Sequence, residues 1–188
     1  MYLLINADHR LDKAVWRPSE HFDLRPSGLQ PELVVVHCVS LPEGEYGTGA
    51  AQRLFTGELD CGEHPSFADL EGVRVAPHVL IDRQGQIEQF VSFDKRAWHA
   101  GVSVWRGRSG CNDFSIGVEL EGTVAEDYTV PQYRKLIELV GTLMDAYPRI
   151  SADAIVGHCD IAPGRKADPG PKFDWLRVVG QVHRHMGA

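Results

Sequence analysis

The sequence has 188 residues, of which 43% are hydrophobic, enough to bury one compact core, so we expect a single domain. Its 26 acidic side chains outnumber its 19 basic ones and give a formal net charge of -7. Such a chain has no general attraction to nucleic acid or to an anionic membrane surface, and we expect neither as a partner. An anionic substrate would have to be bound by local arginine side chains.

The first residues lack the features of an export signal. Residues 1–6 begin apolar but have neither the basic region nor the apolar length of a signal peptide, so we expect no secretory signal, no transmembrane span and a cytoplasmic location. Cysteines in a reducing compartment normally stay free, and none of the four has the C-x-x-C spacing of a structural zinc knuckle. We therefore expect free thiols at Cys38, Cys61, Cys111 and Cys159.

Several apolar stretches predict β-strands. Leu33–Val39 is a continuous, mostly β-branched run between two prolines, typical of a strand buried on both faces. Residues 78–82 and 86–91 flank a turn at Gly85 and predict a hairpin. Ser115–Glu121 alternates apolar and polar residues, which predicts a strand with two different faces.

The last third of the chain predicts two helices and a short strand. Thr129 and Gln132 can form a capping box, and apolar residues follow it at helical spacing up to Pro148. Residues 154–158 predict a short strand that leads to a histidine. Residues 174–185 predict a helix whose apolar face consists of Trp175, Leu176, Val179 and Val182. The sum is an α/β domain, a central mixed β-sheet flanked by helices.

Two histidines lie where a strand can hold a metal ligand rigidly. His37 and His158 each end, or nearly end, a β-branched run, and Asp168 follows in a loop rich in proline and glycine. Two imidazoles and one carboxylate fill three of zinc's four positions and leave the fourth for water, the pattern of catalytic sites. Spacing alone does not select this triple from nine histidines, because His78 and His99 also neighbour a strand or a turn.

Four motifs with several aromatic, charged and histidine residues occur along the chain. They are VHCVSLP at 36–42, FDKRAWHAG at 93–101, CNDFSIGVELEG at 111–122 and GHCDIAP at 157–163. Together they resemble the motif set of the cytosolic 1,6-anhydro-N-acetylmuramoyl-L-alanine amidases of the AmpD type, from about Pro18 to Trp175. That family is grouped with the peptidoglycan-recognition proteins and the phage-lysozyme amidases. The resemblance implies the same amidase-like fold, with a zinc cleft at one side of the sheet, in one domain spanning 1–188 with its core at about 18–178.

The resemblance also implies which residues carry the chemistry. The Zn²⁺ ligands are then His37, His158 and Asp168. Glu119 would act as the general base, and Lys166 would stabilise negative charge on the amide oxygen. The strand pattern by itself leaves Glu121 open as the base, since residues two apart on a strand share a face.

Substrate contacts follow from the same resemblance, which implies that Trp98 and His99 line the cleft. Further contacts are expected from Arg74, Arg108 and Asn112. An arginine can bind a stem-peptide carboxylate bidentately, with surface solvation as the alternative, and Trp98 could equally be a core residue. The chain departs from the family pattern at Cys38, Ser66 and Gly110, where an asparagine, an aromatic residue and an arginine are usual. These differences affect the substrate contacts in the pocket and leave the metal ligands unchanged.

The implied function is a monomeric enzyme of cytosolic cell-wall recycling. It would hydrolyse the amide bond between anhydro-N-acetylmuramic acid and L-alanine in anhydro-muropeptides, and so lower the signals that induce β-lactamase. A non-catalytic module that binds peptidoglycan fragments is the alternative from a different class. A thiol hydrolase would use Cys38 or Cys159, but adjacent strand residues face opposite ways, which separates Cys38 from His37. An exported lytic amidase would need an export signal.

Overall fold

The computed structural model describes residues 3–186, with side chains up to residue 182. Its strands are β1 (Val15–Trp16), β2 (Phe22–Leu24), β3 (Leu33–Val39), β4 (Val79–Ile81), β5 (Ile87–Gln89), β6 (Lys95–Ala97), β7 (Val104–Trp105), β8 (Arg108–Ser109), β9 (Ser115–Glu121) and β10 (Ile155–Gly157). Its α-helices are α1 (Ala50–Thr56), α2 (Val130–Ala146), α3 (His158–Ile161) and α4 (Trp175–Met186). Single 3-10 helices span Pro65–Leu70 and Cys111–Asp113.

A mixed six-stranded sheet forms the centre of the domain, in the order β1-β5-β4-β9-β3-β10. β3 lies between β9 and β10 and is parallel to both, while β4 and β5 form the predicted antiparallel hairpin. The predicted bounds of β3 and β9 are confirmed. Gly85 adopts φ 80 in the hairpin turn, a conformation that favours glycine.

The continuous apolar run of β3 is explained by packing on both faces of the sheet. Val34 and Val36 belong to the larger core cluster under α2, whereas Leu33 and Val35 pack into a second cluster with Phe114. All four valine and leucine side chains are fully buried. A strand covered on both faces has no position for a polar side chain until it reaches the sheet edge.

α2 covers one face of the sheet as predicted. Thr129 caps its first turn, accepting the N–H of Gln132, whose side chain in turn accepts the N–H of Thr129. The apolar stripe of α2 is buried in the larger core through Leu136, Leu139, Val140 and Leu143. The capping box and the stripe together explain why this helix could be predicted from sequence.

α4 lies beside α2, but the prediction of its buried face was partly wrong. Val178 and Val182, one turn apart, are fully buried, whereas Leu176 is 89% exposed. Two residues along a helix are about 200° apart around its axis, so a face centred on Val178 turns Leu176 to solvent. Among residues 3–186, no helix is long and apolar enough to cross a membrane.

Candidate active site

Polar side chains from adjacent parallel strands lie together at one edge of the sheet. β3 and β9 pair in parallel with His37 beside Glu119, so both side chains stand on the same face. β10 pairs with β3 through Gly157, and His158 follows directly. The carboxyl ends of parallel strands are where open α/β sheets place their ligands.

Three ligand atoms converge at this edge. His37 Nδ1 lies 2.9 Å from His158 Nδ1, and Asp168 Oδ2 lies 3.1 Å from each of them. The backbone N–H of Cys159 donates to the carbonyl oxygen of Asp168 at 3.0 Å and ties the loop to the start of α3. Ligand atoms around a tetrahedral zinc ion stand about 3.3 Å apart, so the triangle fits such an ion to within a few tenths of an ångström.

The protonation of His37 and Asp168 and the ring orientation of His158 also suit a divalent cation. Burial lowers the pKa of His37 to about 4, which keeps this imidazole neutral at pH 7. Burial raises the pKa of Asp168, but contacts with His158 and His37 outweigh it and hold that pKa well below its usual range. The ring of His158 places Nε2 3.0 Å from the carbonyl oxygen of Ala100, which can only accept, so the free lone pair is on Nδ1.

The two competing histidines have both ring nitrogens engaged elsewhere. The backbone N–H of Gly117 donates to His78 Nδ1 at 3.0 Å, so Nε2 carries the proton and donates to the carbonyl oxygen of Lys95 at 3.1 Å. His99 contacts His37 Nε2 at 2.9 Å through Nδ1, and Ser115 Oγ at 3.1 Å through Nε2. Neither histidine therefore offers a nitrogen to the three converging ligand atoms.

Glu119 and Glu121, which the sequence pattern leaves equivalent, have different surroundings. Glu121 accepts the backbone N–H of Gly47 at 2.5 Å and that of Arg83 at 3.2 Å. The Oε2 atom of Glu119 is buried and has no hydrogen-bond partner among residues 3–186. Burial, together with the nearby Asp168 carboxylate, raises the pKa of Glu119 well above its usual value. Glu119 is thus the carboxyl group available for proton transfer.

A cleft of about 570 Å³ opens over these groups. Its polar floor includes His37, Glu119 and Asp168, and Lys166 lies at its rim. Apolar walls are supplied by Leu54, Phe55, Val73 and Val75. A volume of this size and a few converging polar groups are typical of small-ligand sites.

Among the predicted substrate contacts, His99 lines the cleft. Trp98 precedes it, stacked on His21 and with the guanidinium of Arg74 5.3 Å from its ring centroid. The indole Nε1 of Trp98 is buried without a hydrogen-bond partner among the described residues. Trp98 and Arg74 therefore form one unit beside the wall residues Val73 and Val75.

The other two predicted contacts are engaged in the fold. Arg108 donates to Glu32 Oε2 at 2.8 Å and stacks over the ring of Phe114 at 3.8 Å. Asn112 is buried, and its Oδ1 accepts the backbone N–H groups of His99 and Ala100 at 3.2 and 2.8 Å. In this geometry Arg108 is an ion-pair partner, and Asn112 shapes the loop that carries His99.

The departures from the family pattern have local explanations. Cys38 points away from His37 and packs against the larger core, where burial raises its pKa to about 12, so its thiol is protonated at neutral pH. Ser66 lines the cleft. Gly110 adopts φ 74, a conformation that disfavours an arginine at this position. A thiolate nucleophile at Cys38 is not supported by this structure.

Comparison with known proteins gives consistent matches. The profile of the family described as N-acetylmuramoyl-L-alanine amidase matches residues 27–171. The chain is 56% identical over 173 residues to the 1,6-anhydro-N-acetylmuramyl-L-alanine amidase AmpD of Salmonella typhimurium, covering 90% of this chain and 92% of that protein. It is 50% identical over 164 residues to AmpD of Haemophilus influenzae, covering 87% and 89%.

Solved structures give the same match for the fold. A crystal structure of a selenomethionine derivative of AmpD superposes with a TM-score of 0.92 at 50% identity and covers 95% of this chain and 99% of that chain. AmiD of Escherichia coli, in complex with the substrate anhydro-N-acetylmuramic acid-L-Ala-D-gamma-Glu-L-Lys, superposes with a TM-score of 0.58 at 30% identity. That match covers 84% of this chain and 60% of the AmiD chain. The predicted mixed sheet with flanking helices is confirmed.

Proposed function

Since this chain belongs to the N-acetylmuramoyl-L-alanine amidase family, we propose that it is a zinc-dependent 1,6-anhydro-N-acetylmuramoyl-L-alanine amidase. The bond it cleaves joins the lactyl carbonyl of the anhydro-sugar to the amine of L-alanine in an anhydro-muropeptide. The observation that carries the proposal is the convergence of His37, His158 and Asp168 beside Glu119, whose Oε2 atom has no hydrogen-bond partner within residues 3–186. The donor set is one that zinc binds in catalytic sites.

Hydrolysis of an amide needs an activated water, stabilisation of charge on the carbonyl oxygen and a proton for the leaving amine. A zinc ion bound at the three ligand atoms would supply Lewis acidity to the water and to the carbonyl. Glu119 Oε2 then accepts the proton of the attacking water and delivers it to the L-alanine nitrogen. Lys166 Nζ donates to the carbonyl oxygen as negative charge develops there.

The cleft walls hold the rest of the substrate. The apolar side, at Val73 and Val75, suits the sugar ring and the lactyl methyl group. Arg74 lies next to these wall residues, with Trp98 packed against it, and binds a stem-peptide carboxylate, while His99 lines the cleft beside the metal site. In this protein of net charge -7, such a local cation is needed to attract an acidic peptide.

The biological setting is part of the same proposal. The enzyme acts as a monomer in the cytoplasm, where it releases peptides from recycled anhydro-muropeptides and lowers the concentration of β-lactamase inducers. The AmpD relatives carry the same substrate in their names, and the AmiD complex contains a fragment of this class. Deleting the gene and measuring accumulated anhydro-muropeptides in the cytosolic fraction tests this setting.

Metal analysis combined with an assay on anhydro-N-acetylmuramoyl-tripeptide tests the enzymatic function. Purified protein is expected to contain about one zinc per chain, to lose activity on chelation and to regain it with zinc, because three protein ligands leave one open position. His158→Ala should lose both zinc and activity. His9→Asn is a matched control, because His9 is exposed. Residue 9 has a positive φ, which asparagine also adopts readily.

Two results would contradict the proposal. Full activity in metal-free protein would exclude a metal-dependent reaction. Binding of the muropeptide without release of tripeptide, followed by mass spectrometry, would instead identify a non-catalytic recognition module.

A further inference from the structure

His99 links the metal centre to a buried serine on β9. Its Nδ1 atom lies 2.9 Å from His37 Nε2, the ring nitrogen of His37 that points away from Asp168. Its Nε2 atom lies 3.1 Å from Ser115 Oγ, and Ser115 is fully buried. His37, His99 and Ser115 therefore form a continuous hydrogen-bonded chain, which we call the imidazole relay.

The direction of hydrogen bonding along this relay depends on His37. A nitrogen that binds a cation must offer its lone pair, so a metal at His37 Nδ1 requires the proton to be on Nε2. That N–H then donates to His99 Nδ1, which must be unprotonated. The proton of neutral His99 is consequently on Nε2 and donates to Ser115 Oγ. The opposite direction would place a proton on His37 Nδ1 and block the ligand position.

The fold holds the His99 ring in place from two sides. Asn112 Oδ1 accepts the backbone N–H groups of His99 and Ala100, which fixes the start of the loop. Gly117 on β9 leaves the space that the ring occupies, because a Cβ atom there would lie 2.4 Å from His99 Cγ. No real Cβ contact is that short, so the strand is built around this ring.

We propose that His99 is a positioning residue whose Nδ1 atom accepts the Nε2–H of His37 and so presents His37 Nδ1 to the metal. Metal-binding histidines commonly donate their second N–H to a carboxylate, a carbonyl or water, and these partners set the ring's orientation. A neutral imidazole in that place orients the ligand without adding a second negative charge beside Asp168. The inference rests on the zinc site of the proposed function.

A pair of nearly isosteric variants separates the acceptor from the bulk of the ring. In His99→Asn the amide oxygen can take the place of Nδ1 and still accept from His37, whereas His99→Leu has the same size and no acceptor. The zinc dissociation constant, measured by competition with a chromophoric chelator, should rise about 10- to 100-fold in His99→Leu, the usual cost of losing such a partner. In His99→Asn it should stay within about threefold of the wild-type value.

Two serine variants complete the set. Ser115→Ala removes the acceptor of His99 Nε2–H and should weaken zinc binding in the same direction, by less than His99→Leu, because it acts through one more bond. Ser19 is also buried, with its hydroxyl bonded to the carbonyl of Phe55, away from the relay. Ser19→Ala is the matched control and should leave the zinc dissociation constant unchanged.

Nitrogen-15 spectra of the wild-type, zinc-loaded protein supply a test that needs no variant. The inference requires a protonated Nε2 and an unprotonated Nδ1 in both His37 and His99. A proton on His99 Nδ1 would overturn it, as would equal zinc affinity of His99→Leu and wild type. Equal weakening by His99→Asn and His99→Leu would show that the ring acts by packing alone. If wild-type protein binds no zinc, the proposed function itself fails.

Discussion

The two carboxyl groups of β9 show how hydrogen-bond partners decide the role of a side chain. Glu121 accepts two backbone N–H groups, from Gly47 and Arg83, and thereby fastens two loops to the sheet. Glu119, two residues earlier, is half-buried near Asp168, and its Oε2 atom is buried and has no hydrogen-bond partner among the described residues. A buried carboxyl oxygen without a hydrogen bond costs free energy, so its position beside Asp168 points to a chemical use.

Replacing Glu119 by glutamine tests that use. Glu119→Gln keeps the size of the side chain but cannot accept a proton, so kcat on an anhydro-muropeptide should fall about 10²- to 10⁴-fold. Zinc content should stay at the wild-type level, since the three converging ligand atoms belong to His37, His158 and Asp168 and not to Glu119. Glu121→Gln is the control, with kcat retained and a loss of about 1 kcal/mol in the free energy of unfolding. Similar kcat losses in both variants would refute the assignment.

The elements that could be predicted from sequence are those with a period or a cap. β3 and β9 were predicted in their full extent because each has seven residues of continuous or alternating pattern, and α2 because Thr129 and Gln132 mark its start. β1, β2 and β6 to β8 were not predicted, because two or three residues are too few for a period. β4, β5 and β10 are equally short, but each lies within a longer apolar run that predicted it. α1 was not predicted either, since Gly49 caps it without a side-chain hydrogen bond.

For the candidate site, the metal ligands could be predicted and their hydrogen-bond partners could not. Its metal triple was inferred from a family resemblance, because spacing alone does not bring His37, His158 and Asp168 together. The relay through His99 to Ser115 was not predicted. It depends on a ring fitting over Gly117, a contact between positions 18 residues apart on different segments that no local pattern encodes. Sequence could suggest that His99 is near the cleft but not what its two nitrogens bind.

β9 itself offers a test of that close contact. Gly117→Ala places a methyl group 2.4 to 2.7 Å from three atoms of the His99 ring, so the ring or the strand must move. Overpacking of this kind should cost about 1–3 kcal/mol in the free energy of unfolding and weaken zinc binding as well. Urea unfolding in the presence of chelator and a separate zinc titration measure the two effects.

A glycine in another element provides the control for this substitution. A Cβ atom on Gly180 in α4 would have nothing within 4 Å, so Gly180→Ala should stabilise the helix by about 0.5–1 kcal/mol. Opposite signs are therefore expected from the same chemical change. Unchanged zinc affinity and stability in Gly117→Ala would mean that the His99 ring is not held against β9.

The site belongs to a buried region in which several histidine side chains are neutral. His37 on β3, His78 just before β4 and His99 just after β6 lie close together. Ring centroids are 5.1 Å apart for His37 and His99 and 5.8 Å apart for His78 and His99. Burial lowers the pKa of each of them. Protonating this group would place several like charges in a space that excludes water, so folding and neutrality of the imidazoles are linked.

This linkage predicts how the stability of the metal-free protein varies with pH. Burial, aided by the Arg25 guanidinium, lowers the pKa of His78 to about 3, against about 6.5 in an unfolded chain. Between these values the unfolded state binds the extra proton, so the stabilisation is complete above about pH 6.5 and is lost as the pH falls towards 3. Asp168, with its lowered pKa, acts in the same direction only at lower pH.

His78→Asn isolates the contribution of one imidazole. Its amide oxygen can still accept the N–H of Gly117 but does not titrate, so the slope of unfolding free energy between pH 6 and 4.5 should decrease by up to about 1.4 kcal/mol per pH unit. Urea unfolding at a series of pH values in the presence of chelator measures the slope. Gly180→Ala, which changes no titratable side chain, is the control and should keep the wild-type slope. An unchanged slope in His78→Asn would show that this ring is protonated in the folded protein, and the coupling between histidine burial and folding would then rest on His37 and His99 alone.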